Sequence, residues 1–175
     1  MYFPGENKDS HWKTNHMDYG KIQIAPARMI ADTMTIWPDV GPEVDLVADP
    51  RLPGGLKFRP GTLKVIYAVG ILGLSPFDRV EGILSELRGL LAPEGQLYII
   101  ENDYDFINRA LLGGDLAMEQ FNREFIQQSY LNHDILVNTL EKVGFSTESM
   151  VVWYKFPNLK FDRKEHQIII SAIKK

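Results

Sequence analysis

Runs of apolar residues, alternating or continuous, divide the chain into a series of predicted strands. Residues 21–25 alternate polar and apolar side chains and carry Ile22 and Ile24, which is typical of a strand. The run LKVIYAVGIL at 63–72 is almost entirely apolar, as expected of a strand that is buried on both faces. The same reasoning predicts further strands at 34–37, 44–49, 95–102, 146–154 and 166–174.

The strongest helical pattern lies between two of these buried strands, at 76–92. Ser75 is predicted to be its N-cap and Pro76 its first helical residue. A strand, a helix and a second buried strand form a βαβ unit, so strands 63–72 and 95–102 are expected to be parallel neighbours at the centre of one sheet. The helix presents one apolar stripe, made of Val80, Ile83, Leu84, Leu87, Leu90 and Leu91.

Three later segments show helical spacing of their apolar residues, at 104–112, 116–128 and 132–145. Gly113 and Gly114 separate the first two, where they either hinge a lid over a pocket or only join two helices. Asn132 is predicted to cap the third helix and Gly144 to end it.

The first half of the predicted sheet has unusually short connections. Eight residues separate the first two strands and six separate the second from the third, whereas a parallel crossover takes about a dozen or more. One sheet face is therefore bare, or is covered by residues 1–20 or by a second subunit. Because monomers rarely expose a large apolar patch, we expect a homodimer or docking of this N-terminal arm on a single domain at 21–175.

Composition excludes several classes of protein. The formal net charge is −4 with both signs interspersed, so no nucleic-acid-binding surface is expected. The chain has no cysteine, and its four histidines lack metal-site spacing, so we expect no metal. Neither a signal peptide nor a membrane span is recognisable, and we expect a cytoplasmic protein.

The order of predicted elements resembles a small class I S-adenosylmethionine-dependent methyltransferase. The stretch 44–101 carries the resemblance, and its most specific part is ELRGLLAPEGQLYI, a helix end, a Pro-x-Gly turn and a strand. The likeness implies an α/β fold with a doubly wound, mostly parallel sheet. The last two strands would form an antiparallel edge, and the helices of the first half would be reduced.

The resemblance also implies S-adenosylmethionine as the cofactor. In the family the first strand ends in a glycine-rich turn, where the backbone approaches the methionine end of the cofactor. Here that turn is Ala25, Pro26 and Ala27. The alanine methyl group hinders such an approach and proline has no N–H to donate, so weak binding is expected.

Other cofactor-binding candidates are placed by the same resemblance. Asp49, before Pro50, stands where the family has an acid that meets the adenine amine, although Asp-Pro is also common at a strand-end turn. Trp37 ends the second strand and is either a stacking platform for the cofactor or a packing residue. Ala68 lies near the end of the fourth strand, close to where the reacting methyl group would lie.

The polar end of the fifth strand indicates a substrate site, because ligands collect beyond the carboxyl ends of parallel strands. Asn102 and Tyr104 are the substrate-binding candidates. Asp103 and Asp105 are instead expected to cap the next helix and to occupy its first turn.

Two functions follow from these observations. The first is a methyltransferase that acts on a small polar substrate, for which no catalytic residue is identified. The second is a non-catalytic binding or assembly module that keeps the fold with an eroded cofactor site. A dinucleotide-dependent dehydrogenase is excluded, since no Gly-x-Gly-x-x-Gly string is present.

Overall fold

The computed structural model describes residues 20–26, 29, 33–116, 118–119, 121, 128–148 and 167–175. The predicted N-terminal arm up to residue 19, most of the predicted helix at 116–128 and the strand residues 149–154 lie outside the described residues. The strands are β1 (Lys21–Ile24), β2 (Met34–Trp37), β3 (Leu46–Val47), β4 (Leu63–Val69), β5 (Leu91–Asn102), β6 (Phe145–Glu148) and β7 (Gln167–Lys174). The helices with complete bounds are α1 (Phe77–Leu90), α2 (Tyr104–Gly113) and α3 (His133–Lys142).

The strands form one seven-stranded sheet in the order β3-β2-β1-β4-β5-β7-β6. Strands β1 to β5 are mutually parallel, while β7 runs antiparallel to both β5 and β6. The prediction that β4 and β5 are parallel neighbours at the centre of the sheet is confirmed, as is the doubly wound fold class. In the described part of the chain between β1 and β4 there is no helix, which confirms the reduced first half.

The principal core lies on one face of the sheet, between the central strands and α1 and α3. The leucines of α1 predicted to face the sheet are buried, as are Leu136 and Leu140 of α3. They pack on the strand residues Ile22, Ile66 and Leu97, which lie side by side across β1, β4 and β5.

The opposite face carries the alternate side chains of the same strands. Tyr67 and Tyr98 stack there with ring centroids 5.0 Å apart and planes inclined by 13°. We call this surface the tyrosine face; it comprises Val65, Tyr67, Gln96, Tyr98, Ser171 and Ile173, all partly buried. Neither α1 nor α3 covers it, because both contribute their buried residues to the core on the other side.

The beginning of α1 differs from the prediction. Pro76 occupies the N-cap position rather than the first helical position, and it makes no side-chain capping bond. The predicted cap Ser75 is fully buried, and its hydroxyl donates to the carbonyl of Ile71 at 2.7 Å. A capping serine would accept from the first helical N–H groups with its side-chain oxygen, whereas the Ser75 hydroxyl is directed at the preceding turn, to which it donates its proton.

Candidate functional site

The carboxyl ends of β1 to β5 meet at one edge of the sheet, which we call the carboxyl edge. Ligands of open α/β sheets bind there, where the loops that follow the strands converge. The predicted cofactor and substrate residues follow these strands or end them, except Ala68, which lies within β4.

The turn after β1 is closed by bonds within the chain. The Ala25 N–H donates to the carbonyl of Ile36 at 3.1 Å, and the Ala25 side chain is fully buried. It packs in a small apolar cluster with Val69, Ile100 and Ile169, against which Met29 also lies. Ala25 therefore packs against the end of the sheet and has no free N–H for a ligand.

The next residues of this turn add no donor. Pro26 is exposed and has no N–H, while Ala27 lies outside the described residues. Gln23 of β1 ties the turn to the strand, because its side-chain oxygen accepts from the Met29 N–H at 3.1 Å. The Gln23 amide nitrogen donates to the Thr35 hydroxyl at 2.6 Å, so this buried amide links β1, β2 and the turn.

Trp37, at the end of β2, is half-buried and packs against the principal core. Asp39, two positions later, is exposed at the same end of the sheet. Asp45, just before β3, is bonded to β2, since its carboxylate accepts from the Thr35 N–H at 2.8 Å. The geometry thus supports the packing role of Trp37, and Asp39 is the first of the exposed acids that follow β2.

Asp49 is engaged by its own neighbour Arg51. The guanidinium donates to both carboxylate oxygens, with Nε–Oδ1 2.8 Å and Nη2–Oδ2 2.9 Å, and the Arg51 N–H adds a third bond at 2.9 Å. These bonds, led by the side-chain bond from Arg51, lower the pKa of Asp49. Asp49 is therefore ionised and already paired, and Pro50 beside it is buried.

Ala68, near the end of β4, is fully buried in the principal core and faces α1 rather than the carboxyl edge. Gly70 follows with a φ of +70°, a conformation that favours glycine, and its N–H donates to the Ile100 carbonyl at 2.8 Å. A Cβ built on Gly70 meets nothing within 4 Å, so the backbone lies open there.

Glu101 is a buried acid at the end of β5 that the sequence analysis did not select. Its side chain accepts from the Leu72 N–H at 2.7 Å and from the Gly73 N–H at 3.2 Å, which fixes the loop after β4. Burial raises the pKa of Glu101 to about 8, against the lowering effect of the two backbone donors. The sequence does contain a signal for this residue, since Glu101 directly follows the apolar run LYII of a buried strand. An acid at such a position is expected to be buried and therefore to need hydrogen-bond partners.

The loop after β4 is also bonded to residues 128–131. The N–H groups of Gln128 and Ser129 both donate to the Gly73 carbonyl, at 2.8 and 3.1 Å, and the Ser129 hydroxyl donates to the Ser75 carbonyl. The Leu131 carbonyl accepts from the Tyr104 N–H at 3.0 Å. The chain after β5 is therefore held against the ends of both central strands.

The predicted substrate candidates Asn102 and Tyr104 lie where these segments meet. Asn102 is the last residue of β5 and is half-buried. Asp103 caps α2 as expected, accepting from the N–H groups of Asp105 and Phe106 at 3.1 and 3.4 Å. Tyr104 begins α2, and burial raises the pKa of its hydroxyl.

Tyr104 belongs to an aromatic cluster that the sequence analysis did not bring together. Its ring centroid lies 4.2 Å from that of Tyr130 and 6.2 Å from that of Phe121. Sequence spacing gives no signal for this contact, because it depends on how the chain returns to β5 after α2.

The cofactor implied by the fold fits these residues only in part. For its adenosine half, Asp39 is accessible, Trp37 offers a partly buried ring, and Asp49 is available if Arg51 moves away. For its methionine half, the donors of a glycine-rich turn are missing, since the Ala25 N–H is already bonded and Pro26 has none. The described residues contain no group of His, Asp or Glu that could hold a metal ion.

The described helices include none with the length and apolar character to cross a membrane. No protein-family model matches the sequence, and no curated protein matches it.

Solved structures share the fold. A didemethyltoxoflavin N1-methyltransferase from Burkholderia thailandensis, with S-adenosylhomocysteine bound, superposes with a TM-score of 0.57 at 14% identity, over 88% of this chain and 70% of its own. An S-adenosylmethionine-dependent methyltransferase from Thermotoga maritima gives a TM-score of 0.57 at 14% identity, over 89% and 81%. The chain spans 42% of the CurJ carbon methyltransferase, at 20% identity and a TM-score of 0.47. The chain therefore has the class I methyltransferase fold, as its sequence predicted.

Proposed function

We propose that this chain is an S-adenosylmethionine-dependent methyltransferase that acts on a small polar substrate at the carboxyl edge. The observation that carries the proposal is the placement of two acids, Asp39 and Asp49, after the neighbouring strands β2 and β3. In this fold such acids are positioned to accept from ribose hydroxyls and from the adenine amine. The pKa of Arg51 is raised first by its side-chain bond to Asp49 and also by the negative charges of Asp49 and Asp39, so both acids lie within electrostatic reach of this guanidinium.

In this proposal the chain's own residues bind and orient. Asp39 accepts from the ribose, Asp49 from the adenine amine, and the Trp37 ring lies beside the base. Asn102 and Tyr104 contact the substrate at the end of β5. S-adenosylmethionine, when bound, supplies a methyl group already activated by its sulfonium. Alignment of two reactants in one site can contribute up to about 7–11 kcal/mol without any basic side chain.

A second function is favoured by one specific observation, that two cofactor positions are taken by bonds within the chain. The Ala25 N–H already donates to Ile36, and both oxygens of Asp49 already accept from Arg51. On this alternative the protein is a non-catalytic binding or assembly module with an eroded cofactor site.

Calorimetric titration with S-adenosylhomocysteine and with adenosine separates the two. We expect dissociation constants in the high micromolar range or weaker, because each charged hydrogen bond lost costs about 1.5–3 kcal/mol. We also expect the adenosine half to supply most of the affinity. Asp49→Ala should abolish binding, and the matched variant Asp134→Ala, at an exposed acid of α3, should leave it unchanged.

The outcomes have distinct meanings. If neither ligand binds at millimolar concentration, the methyltransferase proposal is wrong and the binding module stands. If S-adenosylhomocysteine binds at submicromolar concentration, the turn at Ala25 and Pro26 holds the methionine half after all, and the argument for erosion fails.

A further inference from the structure

Three aromatic rings gather beyond the end of β5. Tyr104, Tyr130 and Phe121 are in mutual contact through Tyr104, with centroid separations of 4.2 and 6.2 Å. The planes of Tyr104 and Tyr130 are tilted by 37°, while Tyr104 and Phe121 meet edge to face at 68°. Tyr130 is 56% exposed although its ring packs against that of Tyr104.

The cluster is built on rigid supports. The Asp103 cap fixes the start of α2, and the Tyr104 N–H is bonded to the Leu131 carbonyl, next to Tyr130. Ser129, on the other side of Tyr130, is bonded to the loop after β4. Tyr104 and Tyr130 are thus held at the ends of β4 and β5, where a substrate of this fold would lie, and Phe121 contacts Tyr104 edge to face.

The chain segment that carries the cluster is acidic in sequence. Residues 102–130, which include all three rings, contain five acids against the two bases Arg109 and Arg123. Asp103 and Asp105 directly flank Tyr104 in sequence. The exposed faces of tyrosine rings carry negative potential and attract a cation that lies within about 6 Å of the ring centre. Rings and acids therefore favour the same sign of ligand charge.

We propose that Tyr104, Tyr130 and Phe121 form a binding surface for a small organic cation, an amine in its protonated or quaternary form. As an identification of the substrate class, this inference rests on the proposed function and applies to a protonated amine, which must release its proton to water before its nitrogen lone pair can accept a methyl group; a quaternary amine has no such lone pair and is a ligand only. As a binding site it stands on the ring geometry and the local charge, and it can be tested without any cofactor.

The test uses choline and its uncharged isostere 3,3-dimethylbutan-1-ol, which have the same shape and differ in charge. Binding to the full chain is followed by NMR titration without S-adenosylhomocysteine. We expect choline to bind at least about tenfold more tightly than the isostere. A single exposed cation–π contact corresponds to about a two- to fivefold change in affinity, so Tyr130→Ala should weaken choline binding by at least that factor.

Matched variants separate ring chemistry from folding. Tyr130→Phe keeps the ring and should retain choline binding. Leu112→Ala, at an 88% exposed residue of α2, should change nothing. Equal binding of choline and its isostere overturns the proposal, and so does unchanged choline binding in a folded Tyr130→Ala protein.

The experiment also separates this inference from the proposed function. If choline is preferred over its isostere but S-adenosylhomocysteine never binds, the methyltransferase proposal fails and the cation site stands. If S-adenosylhomocysteine binds but choline shows no preference, the cation site fails and the methyltransferase proposal stands.

Discussion

Single side chains decide how much of a cofactor site survives at the carboxyl edge. The sequence places Asp49 correctly after β3, because strand patterns and the Asp-Pro pair mark the end of a strand. It does not reveal that Arg51 occupies both carboxylate oxygens, since that depends on one arginine rotamer. The Ala25 N–H bonded to Ile36 is likewise a tertiary contact without a local signal.

The Arg51 pairing gives a prediction for ligand affinity. Arg51→Ala frees both oxygens of Asp49, so S-adenosylhomocysteine and adenosine should bind more tightly by about tenfold, the lower end of what a charged hydrogen bond contributes. Calorimetry measures this directly. Arg59→Ala, at an exposed arginine of the same loop, is the control and should have no effect. Weaker binding by Arg51→Ala would mean that the guanidinium itself contacts the ligand.

Glu101 gives a prediction for pH dependence. Burial raises its pKa from an ordinary 4.5 to about 8 in the folded chain. Between these two pH values the folded protein holds a proton that the unfolded chain has released. The contribution of Glu101 to the free energy of unfolding is therefore full below about pH 4.5 and falls, by a few kcal/mol, as the pH rises to about 8.

Urea denaturation at pH 5 and pH 8.5 tests this. Glu101→Gln cannot titrate, so the wild-type protein should lose more stability than the variant between the two pH values. Glu119→Gln, at an exposed glutamate, should follow the wild-type protein. Parallel losses in the wild-type and Glu101→Gln proteins would contradict the assignment of the buried proton to Glu101.

At the scale of elements, the long buried strands and helix were predictable from the sequence, whereas the residues at which some elements begin and end were not. Strands β4 and β5 and helix α1 follow directly from apolar runs and helical spacing, which burial reinforces. The predicted strand at 44–49 shrinks to Leu46–Val47, because β3 is the edge strand and its side chains remain exposed. The prediction that Ser75 caps α1 was wrong, because the Ser75 hydroxyl donates to the carbonyl of Ile71 instead.

The N-cap of α3, by contrast, was predicted correctly, and its contribution to the free energy of unfolding can be measured. The Asn132 side chain accepts from the Ile135 N–H at 2.9 Å, as an N-cap should. Asn132→Ala should lower the free energy of unfolding by about 1 kcal/mol. Asn138→Ala, at an exposed position inside the same helix, should be neutral or slightly stabilising because alanine has the higher helix propensity. Equal effects in urea denaturation would show that the cap contributes nothing.

At the scale of the whole molecule, topology was predictable because the βαβ unit fixes parallel pairing and the short connections leave no room for helices. The short connections between the first strands also explain why helices α1 and α3 cover only one face of the sheet. The buried residues of α1 and α3 all pack on one side of the sheet. On the other side, Tyr67 of β4 stacks on Tyr98 of β5, and neither α1 nor α3 covers them. What covers that face was not predictable, because sequence spacing does not report contacts between distant segments or between subunits.

The tyrosine face leads to a prediction about assembly. Partly buried side chains, most of them apolar or aromatic, lie in two rows across the three strands β4, β5 and β7, which favours a partner surface, and we expect either a homodimer through this face or docking of residues 1–19 on it. Gly20 leaves the sheet beside β4, where its carbonyl accepts from Lys64 and Val65 at 2.6 and 3.0 Å, so the segment starts next to the face. Nineteen residues span up to about 60 Å when extended, several times the width of three strands.

Light scattering on the full chain and on Tyr98→Glu distinguishes the two arrangements. In a homodimer the full chain has twice the monomer mass, and the buried charge of Tyr98→Glu shifts it to a folded monomer, because an unpaired charge at an interface is costly. With docked residues 1–19, both proteins are monomers, and removing that segment lowers the melting temperature by several degrees. A monomer whose melting temperature is unaffected by loss of residues 1–19 would contradict both arrangements.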